Sequence, residues 1–180
     1  MIFLELYDQY YDQVRKFILT LVKDEWVADD LIQETFLRVD ENMDKIREPE
    51  KTSSWIFRIA YNLCQDHFKN RKMVVLKTSE TTEPSFEIPL MKKIEQKQMK
   101  DCVQEKMNLL PESMRTVLVL FDIMEFSHKE IGEILSLSEE NAKVRLHRAR
   151  KQFKTILKEK CSFKHDERNV LLCEPANQKE

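Results

Sequence analysis

Residues 126–158 read FSHKEIGEILSLSEENAKVRLHRARKQFKTILK, and two short helical patterns meet in this stretch at a tight turn. Ser127 stands three positions before Glu130, the spacing of a capping box in which each side chain satisfies a free backbone N–H of the other at a helix start. A helix entering at His128 then carries Ile131, Ile134 and Leu135 on one face. Leu137 and Ser138 make the turn. Ser138 is placed to cap a second helix, whose first residues, Glu139 and Glu140, suit the positive end of its dipole. Along that second helix Ala142, Leu146, Ala149 and Phe153 recur at helical spacing and are expected to face the first. Asn141, Lys143, Arg145, His147, Arg148 and Lys151 are left pointing outward. This is the outline of a helix-turn-helix.

From position 143 to 158 the stretch holds Lys143, Arg145, Arg148, Arg150, Lys151, Lys154 and Lys158 and no carboxylate, in a 180-residue chain whose net charge is −2. A cationic stripe on a near-neutral protein points to a polyanion partner. Arg and Asn suit base edges in a major groove, while Lys and the outer Arg residues neutralise phosphates. The plainer reading is an amphipathic helix with a solvated basic face.

Outward from this stretch, one glycine and 34% charged residues disfavour turn-rich sheet proteins and glycine-cradled phosphate sites. The expected class is all-α. The opening MIFLELYDQYYDQVRKF has early acids and no basic region ahead of an apolar core, and no run is long enough to cross a bilayer, so a cytoplasmic protein is expected. Four scattered cysteines, Cys64, Cys102, Cys161 and Cys173, are expected to be reduced there.

Charge and composition divide the chain. Residues 1–46 hold eleven carboxylates against five basic side chains, so the front is acidic and the back basic. Between them KTSETTEPSFEIP (Lys77–Pro89) offers little apolar surface to offset the cost of ordering, and reads as a linker. The expected organisation is an N-terminal domain over 1–72, a flexible linker over 73–92, a C-terminal domain over 93–160 and a tail over 161–180. In the front domain Phe3, Leu6, Tyr7, Tyr10, Val14, Phe17, Ile18 and Leu21 form one apolar helical face. A second helix, from about Trp26 to Val39, is expected to bury Leu31, Phe36 and Val39 and to present Asp29, Asp30, Gln33 and Glu34. A third, Ser53 to Lys72, is expected to bury Trp55, Ile56, Ile59, Ala60 and Leu63.

The blocks DDLIQETFLRV (Asp29–Val39), SSWIFRIAYNLCQDHFK (Ser53–Lys69), LPESMRTVLVL (Leu109–Leu120) and the stretch quoted first, in this order, resemble the extracytoplasmic-function (ECF) group of bacterial RNA polymerase sigma factors over about residues 1–158. The resemblance implies an alternative sigma factor that binds core RNA polymerase and recognises the −10 and −35 promoter elements. In that family the helix matching Asp29–Val39 docks on the clamp helices of the polymerase, which implicates Asp30, Gln33, Glu34 and Phe36; an acidic edge suits a basic coiled-coil partner. The loop from Asp44 to Thr52 and the helix after it correspond to the −10 reader, with Arg58, Asn62 and Lys69 as polar candidates. The helix-turn-helix corresponds to the −35 reader, with Asn141, Lys143, Arg145, His147 and Arg148 as contacts. Glu80, Glu83 and Glu87 of the linker would imitate nucleic-acid charge inside the polymerase, and an anti-sigma partner is implied.

The sequence departs from the family where Ser136 takes a turn position often held by glycine, where Glu139-Glu140-Asn141 opens the recognition helix, and where Lys69 replaces a common arginine. Past residue 158, Cys161, His165 and Cys173 form a loosely spaced thiophilic set with Cys102 or a carboxylate as a fourth ligand. Zinc at the tail is weighed there against a disordered or docking tail, and no cofactor is expected otherwise. Asp29–Asp30 and Glu139–Glu140 are adjacent on helices and diverge, so no catalytic activity is expected. Two other functions fit parts of the pattern: a dimeric helix-turn-helix regulator binding duplex DNA by itself, and an adaptor or anti-factor using only the acidic front.

Overall fold

The computed structural model describes residues 2–75, 103–165 and 171–175. Helix α1 (Phe3–Val22) turns back into α2 (Glu25–Asn42) through two residues. Lys23 takes the left-handed conformation, its N–H closing on the Leu19 carbonyl, and the Asp24 carboxylate accepts the Val27 N–H at 3.2 Å to start α2. Two single 3₁₀ turns, Met43–Lys45 and Pro49–Lys51, lead into α3 (Thr52–Val75). After a helical stretch over 103–107 come α4 (Glu112–Leu118), continued by a π turn at Val119–Ile123, then α5 (His128–Leu135) and α6 (Glu139–Lys160). The linker reading of 77–89 lies outside the described residues.

Described residues form two compact units, one drawn from Met1–Glu87 and Val119–Ala142, the other from Ile88–Leu118 and Lys143–Glu180. In the first, α3 packs against α1, α2 and α5. Its centre is a run of rings. Phe17 and Phe57 lie 5.3 Å apart by centroids, and Phe57 meets Phe126 edge-on at 4.8 Å. Such pairs add about 0.5–1.5 kcal/mol each beyond the area they bury. In the second unit Arg115 of α4 is buried with its Nε unpartnered, and desolvation pushes its pKa below the ordinary guanidinium value, partly offset by Glu112.

The apolar faces of α2 and α3 are displaced from the sequence reading. On α2 Leu31 is only half-buried and Ile32 takes the core position beside Ala28, Phe36 and Val39. On α3 Ile56, Ala60 and Leu63 are buried as expected, whereas Trp55 and Ile59 are half-buried and Phe57 and Cys64 are fully enclosed. The reason is that α3 serves neighbours on several sides and needs a wider, rotated apolar arc than a single helix contact would.

The turn of the helix-turn-helix is built as expected at both ends. Ser127 and Glu130 form the reciprocal box, with Glu130 Oε2 accepting the Ser127 N–H at 2.8 Å and Ser127 Oγ accepting the Glu130 N–H at 3.3 Å. Ser136 sits at φ 55°, ψ 49°, a left-handed residue without glycine's freedom. The Leu137 N–H then closes on the Gly132 carbonyl at 2.8 Å, so the chain wraps directly over Gly132.

One element of the tail was not foreseen. Cys161–His165 and Leu171–Pro175 pair as an antiparallel β-hairpin, with Phe163 opposite Cys173 and His165 opposite Leu171. The period-two placement of Cys161 and Phe163, and of Leu171 and Cys173, is the strand signal that a reading as an unstructured tail overlooks. Every other regular element among the described residues is helical, as the all-α expectation has it.

The close turn makes Gly132 irreplaceable by size alone. A Cβ there would stand 2.8 Å from the Leu137 carbonyl oxygen. Gly132→Ala, which in an open helix gains about 1 kcal/mol, is expected here to lose about 1–3 kcal/mol, read as a lower midpoint in urea unfolding followed by circular dichroism.

Candidate nucleic-acid and polymerase interfaces

The cap that starts α6, the second helix of the helix-turn-helix, is Ser138, whose Oγ accepts the Asn141 N–H at 3.2 Å. Ala142, Leu146 and Ala149 are buried along one side, and Phe153 is half-buried. Asn141, Lys143, His147 and Arg148 are exposed, while Arg145 is half-buried at the margin of the open face. By helical geometry these five span about 200° of the α6 surface, and its centre is held by Glu140, Val144 and Lys151. Val144 is 48% exposed, an apolar side chain in the middle of a cationic arc. The charge pattern hid it, although its place directly opposite Leu146 and Ala149 could have revealed it.

On α3 the three predicted polar residues come together. Arg58, Asn62 and Lys69 are all exposed and, at steps of four and seven, lie on one row. The row is opposite Ile56, Ala60 and Leu63, so the packing that buries one face holds the other open. Lys69 is not wholly free, because Asp66 lies 3.3 Å from its Nζ. Near the start of the helix Ser54 is buried and its hydroxyl donates to Glu133 of α5 at 3.3 Å. Lys51, exposed, is held above its ordinary pKa first by its hydrogen bond to Glu48 and then by that carboxylate's charge.

On α2 Asp30 and Gln33 are exposed and Glu34 is tied to Arg38 at 2.7 Å. Phe36 does not share their surface. It is 3% exposed, with its ring 4.8 Å from that of Tyr7 and 6.1 Å from that of Tyr11, so it fastens α2 to α1. The next residue, Leu37, is outward at 58%, and Trp26 at the other end is 86% exposed. Both were passed over because apolar residues are presumed to be core.

Cys161 is buried, and neither Cys64 nor Cys161 is in a disulfide; the side chains of His165 and Cys173, and all of Cys102, lie outside the described residues. Among the described residues no group of three or more His, Cys, Asp or Glu side chains is placed to hold a metal ion. No helix among them is long and apolar enough to cross a membrane.

Residues 6–73 match the Sigma-70 region 2 family model and residues 100–153 the Sigma-70 region 4 model. Two such regions in that order define a sigma-70-class protein. The ECF RNA polymerase sigma factor SigM of Bacillus subtilis is 30% identical over 152 residues, spanning 84% of this chain and 93% of the relative. The RNA polymerase sigma factor SigZ of the same organism is 29% identical over 164 residues, spanning 90% of each. The chain belongs to the ECF RNA polymerase sigma factors and directs transcription initiation as an alternative sigma factor. Sigma factors of this kind are non-enzymatic initiation factors, and a self-sufficient dimeric regulator is not favoured. Among solved structures, the sigma factor RpoE of Bartonella quintana, crystallised with the anti-sigma factor NepR, shares the fold at a TM-score of 0.76 and 20% identity, over 87% of this chain and 96% of that one. CnrH, solved with the cytosolic domain of CnrY, does so at 0.63 and 22% identity, over 87% of both.

The Ser138 cap secures the end of α6 at which a helix-turn-helix meets bases. Ser138→Ala is expected to cost about 1 kcal/mol of unfolding free energy, measured by urea titration, and to increase hydrogen exchange at Asn141.

Proposed function

We propose that this chain reads its promoter at two places, with Arg58, Asn62 and Lys69 of α3 at the −10 element and Asn141, Lys143, Arg145, His147 and Arg148 of α6 at the −35 element. The observation that carries this reading is the open polar row on α3: three side chains able to donate to bases or phosphates stand together on the one face that packing leaves free. Region 1–72 acts as the −10 and polymerase-binding domain, 73–92 as the linker, 93–160 as the −35 domain and 161–180 as a regulatory tail. Asn141 and Arg148 suit adenine and guanine edges, Val144 offers an apolar contact to a thymine methyl, and Lys143 takes a phosphate. At the −10 element, bases drawn out of the stack onto the α3 face offset part of the melting cost, a few kcal/mol per base.

Asp30, Gln33 and Glu34 seat the chain on core RNA polymerase. The chain has no activity of its own; the polymerase supplies the chemistry in the cytoplasm, and no cofactor takes part. Packing of α5 on α3 supports weak DNA binding by the free chain, because it holds the first helix of the −35 reader against the −10 reader. The likeness in fold to the sigma factor RpoE, solved with the anti-sigma factor NepR, supports a protein anti-sigma partner for this chain too.

Run-off transcription with core polymerase and a promoter library tests the whole reading: specific initiation is expected only when the chain is added, and none on any promoter defeats it. Within a recognised promoter, Arg148→Ala is expected to relax preference at one −35 position by about 1–3 kcal/mol. Lys143→Ala is expected to weaken all sequences alike and to lower the salt dependence by about one phosphate contact.

A further inference from the structure

Helix α5 packs on α3 as well as on the π turn before it, and the seam with α3 has an apolar half and a polar half. In the apolar half Phe126, 6% exposed just ahead of α5, meets the fully enclosed ring of Phe57 edge-on at 4.8 Å. In the polar half the buried Ser54 hydroxyl is shared between the Glu133 carboxylate at 3.3 Å and the Lys51 carbonyl at 3.1 Å. Lys51, tied first to Glu48, also feels the charge of Glu133. Next to Phe126 a cleft of about 300 Å³ stays open between α1 and the chain entering α5, lined by Asp12, Gln13, Lys16, Ile123, Met124 and Glu125. One enclosed ring pair, one shared hydroxyl proton and an unfilled cleft give this seam the partly polar character of surfaces that separate.

Distance shows that they must separate. Packed helices lie about 8–10 Å apart, so the seam holds the helix-turn-helix beside the start of α3. The −10 and −35 elements are centred about 25 base pairs apart, about 85 Å of duplex at 3.4 Å per base pair. Duplex this short is far below its persistence length and does not fold back to close that gap. A chain with α5 against α3 therefore cannot occupy both elements.

We infer that the seam is an intramolecular latch: Phe126 and Glu133 hold the helix-turn-helix on Phe57 and Ser54 of α3 in the free chain, and both contacts break when the chain spans a promoter. This rests on the two-element reading proposed above and names the contacts that regulate it. Promoter affinity then becomes the intrinsic affinity of the open form multiplied by its share of the population. Weakening the seam raises that share without altering Arg58, Asn62, Lys69 or the outward residues of α6.

Dyes carried by non-natural residues at the exposed positions Asn70 of α3 and Lys129 of α5 report the seam by energy transfer in the full-length chain. Free wild type is expected to show high transfer and to lose it on joining core polymerase and a promoter. Ser54→Asp sets a carboxylate against Glu133; it is expected to lower transfer in the free chain and to raise apparent affinity for core and promoter severalfold. Adding Glu133→Lys restores an attractive pair and is expected to return both readings toward wild type, which a loss of folding would not do. Transfer that is low in free wild type, or unmoved by Ser54→Asp, overturns the latch, while initiation that still needs both elements leaves the two-element reading standing. Transfer that stays high on a promoter from which the chain initiates overturns both.

Discussion

Helix α3 has to satisfy two demands that pull against each other. It must bury enough apolar surface to hold α1, α2 and α5 in one unit, and it must leave a polar row open. Phe57 resolves the conflict by standing between Phe17 of α1 and Phe126 in the loop ahead of α5, so that a single fully enclosed ring ties both to α3. With that joint made from within, the far face of the helix is not needed for packing. Arg58, next in sequence, points away from the core because it lies on the side of the helix opposite Ile56, Ala60 and Leu63. Core and open polar row are thus adjacent residues of one element, and the packing of one sets the placement of the other.

The helix-turn-helix depends on a comparable economy. Its turn is short because Leu137 closes over a residue with no side chain, and because Ser136 accepts a left-handed conformation that costs roughly 1–2 kcal/mol for a residue with a Cβ. Reciprocal caps at Ser127 and Glu130, and the cap at Ser138, offset that cost by satisfying backbone donors that would otherwise be bare. The tight turn leaves Asn141, in the first turn of α6, exposed.

Much of this was legible in the chain itself. Capping residues announce helix starts by chemistry that acts over three or four positions, so Ser127, Glu130 and Ser138 behave as their spacing predicts. The basic run of α6 and the polar set on α3 stand out because charge is rarely buried. The misreadings share one cause. Periodicity gives the rotation of an apolar face only to within about one residue, so Leu31 was preferred to Ile32, and Trp55 and Ile59 were preferred to Phe57 and Cys64. The tail hairpin was missed because its alternation is brief, covering only two residues of a kind on each strand.

What the order of residues determined alone is therefore local: which segments are helical, where they start, where the chain turns, and which family's regions it carries. What only tertiary structure decided is which residue of each apolar arc faces in, and so which faces out. Phe36 lies buried against Tyr7 and Tyr11 while Trp26 and Leu37 stand in solvent, although by hydrophobicity all three are candidates for the core. The physical reason is that burial is a property of contacts between helices. A side chain's transfer free energy says how much is gained by enclosing it, but only the neighbouring helix says whether there is anything there to enclose it.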